Sequence, residues 1–147
     1  MTRMAELVRL ETADEGTLRD INALLKELSQ SPEKRECSLE LLQMITKSPE
    51  SELWTVQESG SILGMATLVV VMKPGGITAR VEDVVVHENV RGKGFGRMLM
   101  EKVIERARAR GATMAQLNSR PSRGAANALY QKLGFKKHET NSYYLNL

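Results

Sequence analysis

Three consecutive valines, Val84-Val85-Val86, are followed within ten residues by Arg91-Gly92-Lys93-Gly94-Phe95-Gly96-Arg97. A run of β-branched residues reads as a strand, and three in succession read as a strand buried on both faces. The glycines allow positive φ and close backbone approach. Phe95, Met98, Leu99, Val103, Ile104 and Ala107 then recur at helical spacing up to Arg110-Gly111, with Gly a common residue just past a helix end. The chain must therefore hold a strand that delivers a glycine-rich turn to a helix N-terminus. The first N–H groups of that helix are unpaired and carry the positive end of its dipole, so the unit is suited to an anionic ligand.

The remaining elements fit around this unit. Leu7 to Leu10 reads as a short strand. Asp14 reads as the cap of a helix carrying Leu18, Ile21, Leu24, Leu25 and Leu28, ended by Ser31-Pro32. Ser38 caps a second helix with Leu39, Leu42, Met44 and Ile45, ended by Ser48-Pro49. Glu52–Glu58 alternates about Leu53, Thr55 and Gln57, and Ser59-Gly60-Ser61 turns it into Ile62–Met72. Lys73-Pro74-Gly75-Gly76 is a second turn, leading into a strand over Ile77–Val86. After the glycine unit, Met114–Asn118 reads as a parallel strand and Arg123–Leu133 as a helix stopped by Gly134. Phe135–His138 and Tyr143–Leu147 read as short strands about Thr140-Asn141-Ser142. The expected fold is a single α/β domain spanning residues 3–147. It has a mixed central sheet of about six to seven strands, with about four helices packed on both faces.

Composition removes several alternatives. The chain has 147 residues, the size of one domain, with ordinary apolar (41%) and charged (27%) fractions. The longest apolar run, Ile62–Met72, spans 11 residues, short of the roughly 20 a membrane span needs. One cysteine, Cys37, excludes an intrachain disulfide, and the two histidines, His87 and His138, lie outside any zinc spacing, so no metal is expected. The first fifteen residues carry acids and no apolar stretch of signal-peptide type, which makes a cytoplasmic setting the expectation. Net charge is +3, but Arg91–Arg110 concentrates seven basic residues against two acids. The part from Lys102 to Arg110 reads as a solvated helix face, and Arg91–Arg97 as a site for a small polyanion. With aromatics at only 4%, a nucleic-acid partner is not expected.

The spacing of the loop narrows the anion. A phosphate-binding P-loop requires Ser or Thr after Gly-Lys, whereas Gly94 follows Gly92-Lys93. A dinucleotide fingerprint needs G-x-G-x-x-G and an acid about 20 residues on; this loop reads G-x-G-x-G, and 114–118 is Met-Ala-Gln-Leu-Asn.

Arg91-Gly92-Lys93-Gly94-Phe95-Gly96 resembles the Arg/Gln-x-x-Gly-x-Gly/Ala signature of the GNAT superfamily of acyl-CoA-dependent N-acetyltransferases. Ala126 with Leu129-Tyr130-Gln131-Lys132-Leu133-Gly134-Phe135 is similar to that family's L-Y-x-K-x-G-F. The resemblance covers roughly Leu7 to Leu147. It implies acetyl-CoA as acyl donor, a primary amine on a small molecule or a peptide as acceptor, and direct transfer in a ternary complex. It further implies that Val84, Val85 and Val86 bind the pantetheine arm as an added strand, and that the backbone of Gly92, Lys93, Gly94, Phe95, Gly96 and Arg97, with Arg91, holds the pyrophosphate. Tyr130 would protonate the departing thiolate, and Asn118 would end the strand that splays away to leave an acyl gap. Many members carry Asn seven residues before the tyrosine; Arg123 stands there instead and reads as a further coenzyme contact, with Asn127 as the alternative on the same helix.

Glu82 and Asp83 also resemble the Glu-Asp pair of the hexosamine-phosphate N-acetyltransferases. Strand alternation assigns Glu82 to the face of Val84 and Val86 and Asp83 to the other, so Glu82 is the candidate base or ammonium anchor; its alternative is an edge carboxylate paired with Arg80. The first two helices and the loops after Met72 and Phe135 are expected to form the acceptor pocket. Family members are often dimers, which allows a homodimer here. A non-catalytic acyl-CoA-binding module on the same scaffold is the competing reading.

Overall fold

The computed structural model describes residues 4–29 and 36–147. Four strands, β1 (Glu6–Arg9), β2 (Ser51–Glu58), β3 (Ser61–Lys73) and β4 (Gly76–Val86), form an antiparallel meander. β5 (Ala115–Gln116) joins β4 in parallel, giving the order β1-β2-β3-β4-β5. Helices α1 (Glu15–Leu28) and α2 (Leu39–Lys47) cover one face, while α3 (Phe95–Ala109) and α4 (Gly124–Lys132) cover the other.

The caps lie where the residue types demand them. The Asp14 carboxylate accepts the Thr17 N–H at 2.8 Å, and the Ser38 hydroxyl accepts the Leu41 N–H at 3.1 Å. Ser31-Pro32 lies outside the described residues. α1 and α2 are joined by Asn22, whose side chain accepts the Cys37 N–H at 2.7 Å and donates to the Cys37 carbonyl at 3.1 Å. Ile21, Leu24, Leu42, Leu53, Met65 and Val85 pack on this side. Val56, Leu68, Val81, Leu99, Met100 and Val103 pack beneath α3. The central valines serve both layers, as their succession predicts: Val85 faces α1 and α2, while Val84 and Val86 face α3.

Among the described residues the sheet has five strands where six to seven were expected. Phe135–His138 and Tyr143–Leu147 form no strand, and residues 136–147 are all exposed. Their composition is strand-forming, but they pair with no strand among the described residues, and β-propensity without a packed neighbour does not make a strand. The expected strand over Met114–Asn118 contracts to Ala115–Gln116, the residues that register with Ala79 and Arg80 of β4.

A second departure lies under α3. Arg106 and Arg110 belong to no solvated face. Both bind Glu52, whose side chain is fully buried: Arg106 at 2.9 and 3.0 Å and Arg110 at 2.8 Å, with the Trp54 indole N–H donating at 3.0 Å. Lys102 lies 5.4 Å from the Trp54 ring centre. Burial alone would push the Glu52 carboxyl up; the bonds from Arg106, Trp54 and Arg110 overcome it and bring it to about 2.

Candidate active site

The site begins where the sheet opens. β4 and β5 stay in register only at Ala79–Ala115 and Arg80–Gln116. Beyond Arg80, β4 runs on to Val86 without β5 beside it, and 117–118 diverges, with Asn118 exposed at the end of the divergent segment. Side chains, not a strand, reach the freed edge: Arg123 Nη2 donates to the Val84 carbonyl and Arg91 Nε to the Val86 carbonyl, each at 3.1 Å.

A β-bulge sits on the same stretch. Met65 registers with Val85 and Thr67 with Glu82, so Ala66 alone faces both Asp83 and Val84. Asp83 takes up the extra residue with φ +50°, a left-handed conformation that Asp tolerates better than bulky residues. The bulge corrects the alternation read from the sequence. Val81, Val84 and Val86 all pack toward α3, so Glu82, next to Val81 and opposite Thr67, does not share the face of Val84 and Val86. It lies on the α1/α2 side, where its carboxylate accepts two bonds from Arg80 at 2.9 and 3.0 Å. Asp83 also turns to that side and, with Thr67, Met65, Cys37 and Leu42, lines a cleft of about 260 Å³. Asp83 thus lies on the face that alternation assigned to it, and Glu82 is the carboxylate that alternation misplaced, because a bulge is a property of strand pairing and leaves no local mark. Burial and the Asp83 carboxylate push the Cys37 thiol up, which keeps it a thiol at neutral pH.

At the far end of β4, His87 Nδ1 accepts the Asn89 N–H at 3.2 Å and starts a 3₁₀ turn over Glu88–Val90. Glu27 of α1 accepts the Glu88 N–H at 2.8 Å and lies 3.8 Å from both His87 and Arg91. Gly92 and Gly94 both adopt φ +83°, and Gly94 is the N-cap of α3. A Cβ at either would meet nothing within 4 Å, so backbone conformation rather than crowding requires glycine there. Among the described residues no side chain caps α3, and its first turn holds no acid. Lys93 and Arg91 stand exposed around these N–H groups, and Arg97 pairs with Glu101 at 2.7 Å. A 15-residue helix with an uncapped start, two left-handed glycines and flanking cations fits a pyrophosphate. Gly96 serves a different purpose: a Cβ there would touch Leu129 Cδ2 at 3.4 Å, where α3 and α4 approach. Phe95 packs at the margin of the same core.

Behind the open edge, α4 presents Tyr130, which is buried and stacked edge-on against Phe135 at 6.0 Å. Burial pushes its phenol up; the Arg123 guanidinium opposes this by charge and by a hydrogen bond. Arg123 thus acts on the tyrosine hydroxyl while it donates to the β4 edge. Asn127 is committed elsewhere, donating to the Arg120 carbonyl at 2.9 Å, while Arg120 donates to the Leu28 carbonyl at 2.9 Å and ties this loop to α1. Ser119, beside Asn118, has a buried hydroxyl with no protein partner among the described residues. A buried polar atom left so costs about 1–3 kcal/mol unless a ligand or water satisfies it. A serine in a loop gives no sequence signal of this kind.

A sequence model of the acetyltransferase (GNAT) family matches residues 18–135. The chain belongs to the GNAT acetyltransferase family. It is an acetyl-transferring enzyme, and the relatives describe its surroundings. A glucosamine 6-phosphate N-acetyltransferase of Trypanosoma brucei brucei is 29% identical over 143 residues, covering 92% of this chain and 95% of the relative. The crystal structure of a Trypanosoma brucei acetyltransferase superposes with a TM-score of 0.77 at 28% identity, over 98% of this chain and 100% of that one. An aminoglycoside acetyltransferase from an uncultured soil metagenomic sample shares the fold at a TM-score of 0.85 and 16% identity, over 97% of this chain and 96% of that one. Among the described residues, no helix is long and apolar enough to cross a membrane.

Proposed function

We propose that this acetyltransferase moves an acetyl group from acetyl-CoA to the primary amine of a small amino sugar, by direct attack within a ternary complex. The observation that carries this reading is the unpaired β4 edge, which runs from the Asp83 cleft into an uncapped helix start with Tyr130 beside it. Acetyl-CoA supplies a thioester carbonyl already activated toward amines. The protein's part is to hold, orient and move protons.

The N–H groups from Gly92 to Arg97, with Arg91 and Lys93, hold the pyrophosphate. The backbone of Val84, Val85 and Val86 receives the pantetheine arm, and on binding the guanidiniums of Arg91 and Arg123 give up their carbonyls to it. Tyr130, its phenol raised by burial, stays protonated at neutral pH and hands its proton to the leaving sulfur. On the opposite face, Asp83 in the cleft holds the acceptor ammonium. Glu82, held by Arg80 and paired across the sheet with Thr67 of the cleft, takes the proton through water. A cleft of about 260 Å³ suits an acceptor of one sugar ring, in keeping with the glucosamine 6-phosphate named for the relative.

Thiol release measured across an amine panel tests this. Glucosamine 6-phosphate and glucosamine should be turned over faster than spermidine or an alanine-initiated peptide. Tight acetyl-CoA binding with no thiol release for any amine would sink the reading in favour of a non-catalytic module. Turnover of the peptide alone would move the acceptor to proteins.

A further inference from the structure

Among the described residues, one buried side-chain polar atom has no protein partner, the Ser119 hydroxyl. The buried Glu52 and Thr55 are both hydrogen-bonded, so an orphan hydroxyl is an exception in this molecule. Burial alternates along the segment that carries it: Ala115, Leu117 and Ser119 are part-buried, while Gln116 and Asn118 are exposed. Ala115 and Leu117 pack into the α3/α4 layer, which is also the layer of Tyr130. Ser119 therefore continues the Tyr130 face of the sheet. Counting on from the pairs Ala79–Ala115 and Arg80–Gln116 brings Ser119 level with Asp83, at the bulge of β4. The chain turns just after it: the Arg120 carbonyl accepts the Arg123 N–H at 3.1 Å and the Asn127 amide at 2.9 Å, and Arg123 reaches back to the Val84 carbonyl. The hydroxyl thus stands on the wall of the gap between β4 and β5.

We infer that Ser119 is a second hydrogen-bond donor to the sulfur of the acyl donor, which rests on the β4 edge being the donor slot. The amine attacks from the Asp83 cleft, so the sulfur leaves toward the opposite face, where Tyr130 and Ser119 both lie. As the C–S bond breaks, its electron pair goes to sulfur and the Tyr130 proton follows it. Ser119 keeps its own proton and holds the sulfur by a hydrogen bond.

A hydroxyl carries one donor and lone pairs besides. A hydrogen bond to an ionised acceptor is about twice as strong as one between neutral groups. The Ser119 contact therefore strengthens as charge gathers on sulfur, and an interaction that grows toward the transition state lowers the barrier rather than only tightening binding. Arg123 has to leave the Val84 carbonyl for the pantetheine arm to enter. Its departure opens the wall on which the buried hydroxyl stands, so the group is closed to solvent in the free protein and answered in the loaded one.

Calorimetry at pH 9, with no amine present, separates the sulfur contact from donor binding as a whole. Free thiols titrate near pH 8.5, so CoA is mostly a thiolate there, acetyl-CoA has no ionisable sulfur, and ADP has no sulfur at all. Ser119→Ala should bind CoA about tenfold more weakly, acetyl-CoA less than about threefold more weakly, and ADP as the wild type does. Its kcat should fall about tenfold, while the melting temperature of the free variant holds or rises, because Ala removes a polar group left unpaired. Unchanged CoA affinity overturns the inference and leaves the hydroxyl to water. Equal losses for CoA, acetyl-CoA and ADP overturn it as well, since the effect then reaches the pyrophosphate loop. So does a free variant that melts lower, which gives the hydroxyl to the fold. A wild type that binds none of the three ligands overturns the donor slot itself, and the Ser119 contact with it.

Discussion

At the C-terminal half of α3, Arg106 and Arg110 close onto the buried Glu52. At its N-terminal end, Arg91 and Lys93 stand exposed around N–H groups that no side chain caps. The residue chemistry is the same and the two ends are one helix apart. At the rear, every donor is answered: Glu52 takes bonds from two guanidiniums and an indole. Such a cluster cannot bind anything else, and it pins β2 to α3. At the front, the positive end of the dipole and the left-handed glycines are held open, and the β4 edge is met by the Arg91 and Arg123 side chains. The difference separates what a fold needs to stand from what it keeps available for a ligand. Front substitutions should therefore change activity with little change in stability, and rear substitutions the reverse.

The largest effect should come from Tyr130→Phe, which keeps the ring and its packing on Phe135. Its kcat should fall by about 10²–10⁴-fold, with melting temperature nearly unmoved. Full kcat would return Tyr130 to a packing role and blur the division.

Glu52→Gln should do the opposite. Its folded pKa of about 2 lies below the ordinary 4.5, so the ionised group contributes stability above pH 4.5 that is lost as pH falls toward 2. At neutral pH the variant should lose about 3 kcal/mol of unfolding free energy, with kcat intact. The gap between it and the wild type should close as denaturation is followed from pH 5 down to about pH 2. A gap that persists at pH 2 would show that the carboxylate charge is not what holds β2 to α3.

Gly94→Val comes next. The side chain meets no neighbour, but φ +83° is strained for a β-branched residue. Calorimetry should show CoA affinity about 100-fold weaker in a protein that still folds. Unchanged affinity would place the pyrophosphate elsewhere.

The smallest effect is expected for Asp83→Asn, which removes the charge in the cleft and keeps the left-handed backbone. KM for the amine should rise about tenfold with kcat nearly kept. The same result for Glu82→Gln, and none for Asp83→Asn, would reverse the two carboxylates.

What could be read from the sequence was local. Asp14 and Ser38 announce helix starts because each cap is satisfied within three residues. The strand–glycine–helix unit is continuous in the chain, and so is the Tyr130 helix. What escaped was set by pairing over long separations. Glu52 and Arg106 lie 54 positions apart, so the basic run on α3 looked solvated until β2 was laid beneath it. The face of Glu82 depended on an extra residue counted against Ala66 on another strand. The strands expected after Phe135 had the right composition, but composition does not supply the pairing and packing that make a strand.

The bulge at Asp83 has a consequence for how this chain tolerates insertions and deletions. Side chains on a strand alternate with period two, so one added residue reverses the address of everything after it. Here that reversal is native: Ala79 and Val81 before the bulge, and Val84 and Val86 after it, reach the same layer although their numbering differs in parity. Deleting Asp83 would restore regular pleating without moving the core: Val81, Val84 and Val86 would then alternate into the α3 layer, Val85 would stay on the other side, and the pairs Met65–Val85 and Gly64–Val86 would keep their register. An added residue elsewhere in β4 has no such remedy, because it reverses whatever follows it. A strand thus tolerates a loss of length best where it already carries an extra residue, and this deletion should take the carboxylate from the cleft rather than the packing from the core.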